Sequence, residues 1–181
     1  PGVRVKSNGR VINRDLYFHE GMTWSTIASG PFGMRYVPSG FIFETKGSMC
    51  FTSKELLPYL LGLYNTPVIQ SFLQIVSPTL DYHEGPLGKT PVVIKPNEKI
   101  EELVEKNINS SRNDWDAFEN SWDFQHHPLL RKVPTIAEAF DQWQTECDNR
   151  FNQLKVNEEE LNHIFIDIYG LQDELTPEVE D

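Results

Sequence analysis

The chain has 181 residues, 39% of them apolar and 12% aromatic, with 16 Lys plus Arg against 27 Asp plus Glu. That apolar content lies well above the disordered range and suffices for a real core. A formal charge of −11 excludes a uniformly basic nucleic-acid binder, because phosphate must be met by Lys and Arg wherever it is touched. The charge is unevenly divided. Residues 1–98 hold nine Lys or Arg against seven Asp or Glu, net +2, whereas residues 99–181 hold seven against twenty, net −13. The division predicts a mixed β/α region over 1–98 and an acidic helical region over 99–181.

Residues 1–51 carry seven glycines and three prolines among short apolar runs, the punctuation of short strands and turns. Phe32 to Val37 and Phe41 to Thr45 flank Pro38-Ser39-Gly40, which predicts a β-hairpin whose second strand buries Phe41, Phe43 and Thr45 on one face. Thr52 and Glu55 fit a capping box ahead of Leu56, Leu57, Leu60, Leu61 and Leu63, so a helix is expected there, stopping at Asn65. Thr66-Pro67 then caps a second helix to about Val76. Pro91 to Ile94 reads as a strand. The stretch from Leu56 to Leu80 is apolar but broken by Pro58, Pro67 and Pro78, and reads as soluble helices rather than a membrane span.

Beyond Pro96 the period becomes helical. Ile100, Leu103, Val104 and Ile108 share one stripe; Trp115, Phe118 and Trp122 are expected on one helical side in the core. Thr135 with Glu138 makes a capping box, and Ile136, Ala139, Phe140, Trp143, Cys147, Phe151 and Leu154 follow at steps of three and four. Asn157 with Glu160 is read as a restart carrying Leu161, Ile164, Phe165 and Ile168 to a stop at Gly170. The expected class is α+β: a short mixed β-sheet with helices, then a long antiparallel helical hairpin.

Cys50 and Cys147 stand far apart, in no disulfide framework and no metal-type spacing, and both are expected to be buried in a reducing, cytoplasmic protein without a signal peptide. A chain running from Pro1 to Asp181 is expected to be a piece of a longer protein.

Chemical motifs are scarce. A phosphate-binding Gly loop, a nucleophile elbow, a His-Glu-x-x-His helix and a Cys-x-x-Cys pair are all missing from the sequence. His19-Glu20 and His83-Glu84 leave open a metal-dependent hydrolase, against a plainer reading as turn residues; His126-His127 before Pro128 reads as a capping or surface pair. The first half does offer cations among aromatics and small polar residues. Arg4, Lys6, Arg10, Trp24, Ser25, Arg35, Tyr36, Lys46, Lys54 and Lys89 are the candidate DNA-binding residues, with Arg14 and Lys95 nearby in sequence and Arg35-Tyr36 the foremost pair.

Leu60-Leu61-Gly62-Leu63-Tyr64-Asn65-Thr66 resembles the helix end common in target-recognition domains of DNA methyltransferases and restriction specificity subunits, and Trp24-Ser25-Thr26-Ile27 and Phe32 through Phe43 belong to the same wider likeness. With Leu80 to Val93, Ser121-Trp122-Asp123-Phe124, Arg150 to Leu154 and Glu159 to Leu171, the chain resembles the region downstream of the catalytic domain in the PglX-like adenine-specific DNA methyltransferases of BREX phage-defence systems. The resemblance implies that the complete protein moves a methyl group from S-adenosylmethionine to an adenine amine of double-stranded DNA. It places that chemistry in an Asn-Pro-Pro-Tyr motif and a cofactor loop, both missing here, so no catalytic residue carries over. This chain alone is expected neither to bind the cofactor nor to methylate. Residues 1–98 would read the target, and 99–181 would brace them against the catalytic domain of the same chain. The alternative is an acidic helical module that docks other defence-system proteins or imitates the charge of DNA.

Overall fold

A computed structural model of the chain describes residues 13–44, 46–79 and 81–179. A 3-10 turn at Arg14–Leu16 precedes three short strands, β1 (Gly21–Trp24), β2 (Met34–Val37) and β3 (Met49–Cys50). Helices α1 (Leu57–Tyr64), α2 (Pro67–Val76), α3 (Glu84–Leu87), α4 (Glu98–Trp115) and α5 (Ile136–Tyr169) follow. The α+β class, the small sheet and the helical hairpin are as the sequence predicts. The three described strands are antiparallel throughout, in the order β2-β1-β3, with Trp24 opposite Met34 and Met22 opposite both Tyr36 and Cys50.

The pleat sorts the sheet's two faces. Met22, Trp24 and Met34 are 0–4% exposed and turn inward, leaving Thr23 and Arg35 on the outer face. Behind the sheet one apolar cluster joins α1, α2, α4 and α5, with Leu63, Val68, Ile69, Ile100 and Phe165 fully buried. Gly62 lets these helices meet: a Cβ there would stand 2.9 Å from Val104 Cγ2. Gly21 does the same for the sheet, where a Cβ would stand 2.7 Å from the Cys50 carbonyl oxygen.

Three helix ends fall where they were read, although the Thr66 hydroxyl donates to the Leu63 carbonyl at 2.7 Å rather than capping α2. Thr66 precedes Pro67 at the start of α2, Thr135 accepts from the Glu138 N–H, and Gly170 ends α5 at φ 68°. The capping box at Thr52 does not form. Pro58 in the first turn fixes the start of α1, and the Ser53 carbonyl takes the N–H groups of Leu56 and Leu57 instead.

Other expectations are corrected. The predicted hairpin partner of β2 is not Phe41 to Thr45 but β1; at the turn at Gly40, φ 106°, the Gly40 N–H donates to the Phe18 carbonyl and the Phe41 carbonyl accepts from the Phe18 N–H. Phe41 and Ile42 are consequently 42% and 65% exposed, and Thr45 lies outside the described residues. Pro91 to Ile94 forms no strand. Its backbone is held by tyrosines, Tyr59 Oη donating to the Val93 carbonyl at 2.8 Å and Tyr169 Oη to that of Pro91 at 2.8 Å. Helix α4 stops at Trp115 because Asp116 and Ser121 hydrogen-bond each other at 2.6 Å and close a turn, as short polar side chains do when they compete with the helical ladder. Trp115, Phe118 and Trp122 are therefore 59%, 44% and 91% exposed rather than in the core. Asn157 does not restart a helix. It is buried within the continuous α5, and its amide donates to Asn107 Oδ1 on α4 at 2.8 Å. Cys50 and Cys147 are half-buried free thiols rather than core residues, and burial pushes the Cys50 thiol up.

Candidate nucleic-acid interface

The strand that carries Arg35 and Tyr36 is fixed from both sides. Its inner edge pairs with β1. Along its other edge two carboxamides imitate a neighbouring strand. Asn65 Oδ1 accepts from the Met34 N–H at 2.9 Å while its Nδ2 donates to the Met34 carbonyl at 2.9 Å; Gln70 bridges the N–H and carbonyl of Phe32 in the same way. A second Asn65 Nδ2 bond, 2.8 Å to the Leu61 carbonyl, ties the clasp to the end of α1. The run Leu60 to Thr66 thus has a physical rationale: Gly62 permits close helix packing, and Asn65 delivers the helix end to β2.

On the outer face, Arg35 is exposed and donates through Nη2 to Ser25 Oγ at 2.8 Å. Tyr36 lies on the opposite face of the strand, its hydroxyl donating to Glu20 Oε2 at 3.1 Å. Burial, then the Glu20 bond and charge, push the Tyr36 phenol up, with Arg112 pulling it back. Lys54, 87% exposed at its side chain, reaches Glu20 only at 3.8 Å. Lys46 sits exposed on the turn after Glu44, and Lys89 exposed after α3.

Trp24 is a core residue rather than a surface contact. It is 3% exposed, its indole N–H donates to the Tyr82 carbonyl at 2.8 Å, and its ring packs near Phe32. Arg4, Lys6 and Arg10 lie outside the described residues. So Arg35 and Ser25 are joined on one face, Tyr36 and Lys54 meet at Glu20, and Lys46 and Lys89 stand apart.

Most cations of the hairpin region are ion-paired, Arg112 and Lys132 excepted, whereas in the first region Lys54 alone has a carboxylate partner among the described residues. On the hairpin, Lys99 pairs with Glu160, Lys106 with Glu102, Arg131 with Glu146 at 2.8 Å and Arg150 with Asp114 at 3.2 Å. Arg131 in turn holds the Glu146 carboxyl below the usual carboxylate range. Arg35, Lys46 and Lys89 form no ion pair among the described residues.

Beside β2, a groove of about 670 Å3 runs between the strand, α1, α4 and α5. Its floor is apolar, with Leu61, Gly62, Val104 and Leu161; Arg35, Tyr36, Arg112 and Trp115 stand around it. Arg112 was missed in the sequence, although it lies four residues after Ile108 and so on the same helical stripe. Glu158 enters the groove from α5, and desolvation there raises its carboxyl. The native state then holds this proton more tightly than the unfolded chain, so its contribution weakens stability as pH rises from the ordinary carboxylate value through the raised one. Glu158 is itself exposed, so solvent screens the effect, and Glu158→Gln is expected to stabilise the chain at pH 7 by at most about a few tenths of a kcal/mol and to do nothing at pH 3, read by thermal melts at both.

The described strands are antiparallel, without the parallel strand-loop-helix unit that presents a helix N-terminus to a nucleotide cofactor. Of the hydrolase alternative, Glu20 accepts from Tyr36 and Glu84 from Ser48, and among the described residues no three His, Cys, Asp or Glu gather to hold a metal ion. No helix among them is long and apolar enough to cross a membrane.

Fold and site together define an α+β module in which a clamped, cation-bearing strand and an acidic hairpin share one core. No family model matches the chain. Over 97% of its length it is 46% identical to the adenine-specific methyltransferase PglX of Lacticaseibacillus casei (strain Zhang) and 33% identical to the adenine-specific methyltransferase BrxX of Escherichia coli O9:H4 (strain HS). It is homologous to one segment of these PglX-like methyltransferases, spanning 16% and 15% of their respective lengths.

Proposed function

We propose that the chain is the DNA target-recognition segment of a site-specific adenine methyltransferase acting in cytoplasmic phage defence of the BREX kind. In this reading the outer face of the sheet approaches double-stranded DNA. Arg35, preset by Ser25, reads a base edge, since a guanidinium matches the two acceptors of guanine in the major groove. Lys46, Lys54 and Lys89 contact phosphates and set position rather than sequence. Tyr36 and Trp24 support the strand from behind. S-adenosylmethionine and the catalytic groups belong to another part of the complete protein, and the acidic hairpin is the brace kept clear of phosphate.

The observation that carries the reading is the contrast in ion pairing. Four of the hairpin's cations, Lys99, Lys106, Arg131 and Arg150, have intramolecular carboxylates and its Arg112 and Lys132 do not, whereas Arg35, Lys46 and Lys89 have none among the described residues, Lys54 alone reaching Glu20 at 3.8 Å, and remain available to an outside anion. Salt-titrated duplex binding by the full-length protein tests it. Lys46→Ala should weaken cognate and non-cognate binding alike and reduce the slope of log affinity against log salt by about 1. An unchanged slope removes Lys46 from the phosphate contacts.

A further inference from the structure

The far end of the hairpin exposes several large apolar side chains, which mark an interaction surface when they lie together. Beyond α4, Phe118 is 44% exposed and Trp122 91%; at the start of α5, Ile136 is 77% exposed and Phe140 48%. Phe118 and Phe140 are linked, because both pack against Trp143, with ring centroids 6.3 and 6.5 Å away. Trp122 stacks on Phe41 at 6.1 Å with an interplanar angle of 20°, which sets the indole flat without covering it. Carboxylates rim this end. Glu119, Asp123, Glu138 and Asp141 are all exposed, Arg131 and Arg150 nearby are already bound by Glu146 and Asp114, and the exposed Lys132 is outnumbered by these carboxylates.

Charge selects the occupant. A second copy would set these carboxylates against their own equivalents, and DNA would set phosphate against them; both juxtapositions are repulsive. A cover that buries the aromatics must bring Lys and Arg to the rim. The relatives supply room for such a cover, since the matched segment is only 16% and 15% of their length.

We propose that this aromatic end docks on a Lys- and Arg-rich surface with apolar sockets elsewhere in the same longer polypeptide. The inference rests on the reading of the chain as a methyltransferase segment. Docking would orient the recognition strand, because the hairpin is packed through Val104 and Phe165 against α1, whose end holds β2 through Asn65.

Photo-crosslinking in the full-length protein tests this, with p-benzoylphenylalanine replacing Ile136 and, separately, Trp122, and with Gln144, exposed on the same helix, as the control position. The expected result is an intramolecular crosslink to a segment rich in Lys and Arg, reduced at least fivefold when Glu138→Lys and Asp141→Lys are added. Crosslinks to a second copy, to another protein or to DNA overturn the proposal, as does a yield no higher than at the control position. Loss of the crosslink with site-specific DNA binding intact rejects the docking alone. An intact crosslink in a protein without sequence preference rejects the recognition reading alone.

Discussion

Gly62→Val is expected to lower the unfolding free energy of the chain by about 2–3 kcal/mol and its thermal midpoint by roughly 5–10 °C. A Cβ at this position stands 2.9 Å from Val104 Cγ2, 3.4 Å from Phe165 Cε2 and 3.6 Å from Ile100 Cγ2. Those three side chains are 0–3% exposed, so none can swing aside into solvent. Val104 is also β-branched within α4 and has essentially one helical rotamer. Relief must therefore come from moving α1 away from α4 and α5. Gly62→Ala should be milder, because Ala regains up to about 1 kcal/mol of helix propensity. Calorimetry on the two variants checks the order; equal midpoints for the Gly62→Val variant and the unsubstituted chain would mean that the helices do not meet at Gly62.

Asn65→Ala is the second large effect, expected at about 1–3 kcal/mol. The substitution removes three hydrogen bonds, two to Met34 and one to the Leu61 carbonyl. Its cost is limited because Asn65 is exposed and water can replace part of what is lost. Amide hydrogen exchange at Met34 should quicken by roughly tenfold or more, while exchange inside α5 changes only with global stability. Asn65→Asp distinguishes the clasp from a simple packing role. It keeps the acceptor for the Met34 N–H but sets a carboxylate against the Met34 carbonyl, so it should destabilise at least as much as Ala at neutral pH, and less once protonated.

The elements with their own local signals were legible: the Thr66-Pro67 start, the Thr135 cap and the Gly170 stop each satisfy or terminate backbone bonds within a turn of the named residue. What depended on distant partners was not. The strand expected at Pro91 to Ile94 has the right composition, but its backbone is met by Tyr59 and Tyr169, far away in sequence. The hairpin partner of β2 was misread because both edges of the strand are engaged by elements that periodicity cannot rank, β1 on one side and the Asn65 and Gln70 amides on the other. Trp115, Phe118 and Trp122 carry the period of a buried stripe, yet the Asp116–Ser121 turn ends the helix and leaves them exposed. At the site, the Arg35-Tyr36 pair was visible as a cation beside an aromatic on a short strand. Its division between two faces, Arg35 outward with Ser25 and Tyr36 inward to Glu20, and the presence of Arg112 beside the groove, required the packed fold.

The central claim, that the outer face of β2 reads DNA sequence through Arg35, is tested most directly by equilibrium binding of full-length wild-type and Arg35→Ala protein to a cognate duplex and to one altered within the site, at a single fixed salt concentration. The account predicts that the substitution lowers the cognate-to-altered affinity ratio by roughly 5- to 150-fold, equivalent to about 1–3 kcal/mol, and leaves affinity for the altered duplex nearly unchanged. An Arg35→Ala protein that retains the full wild-type ratio would contradict it.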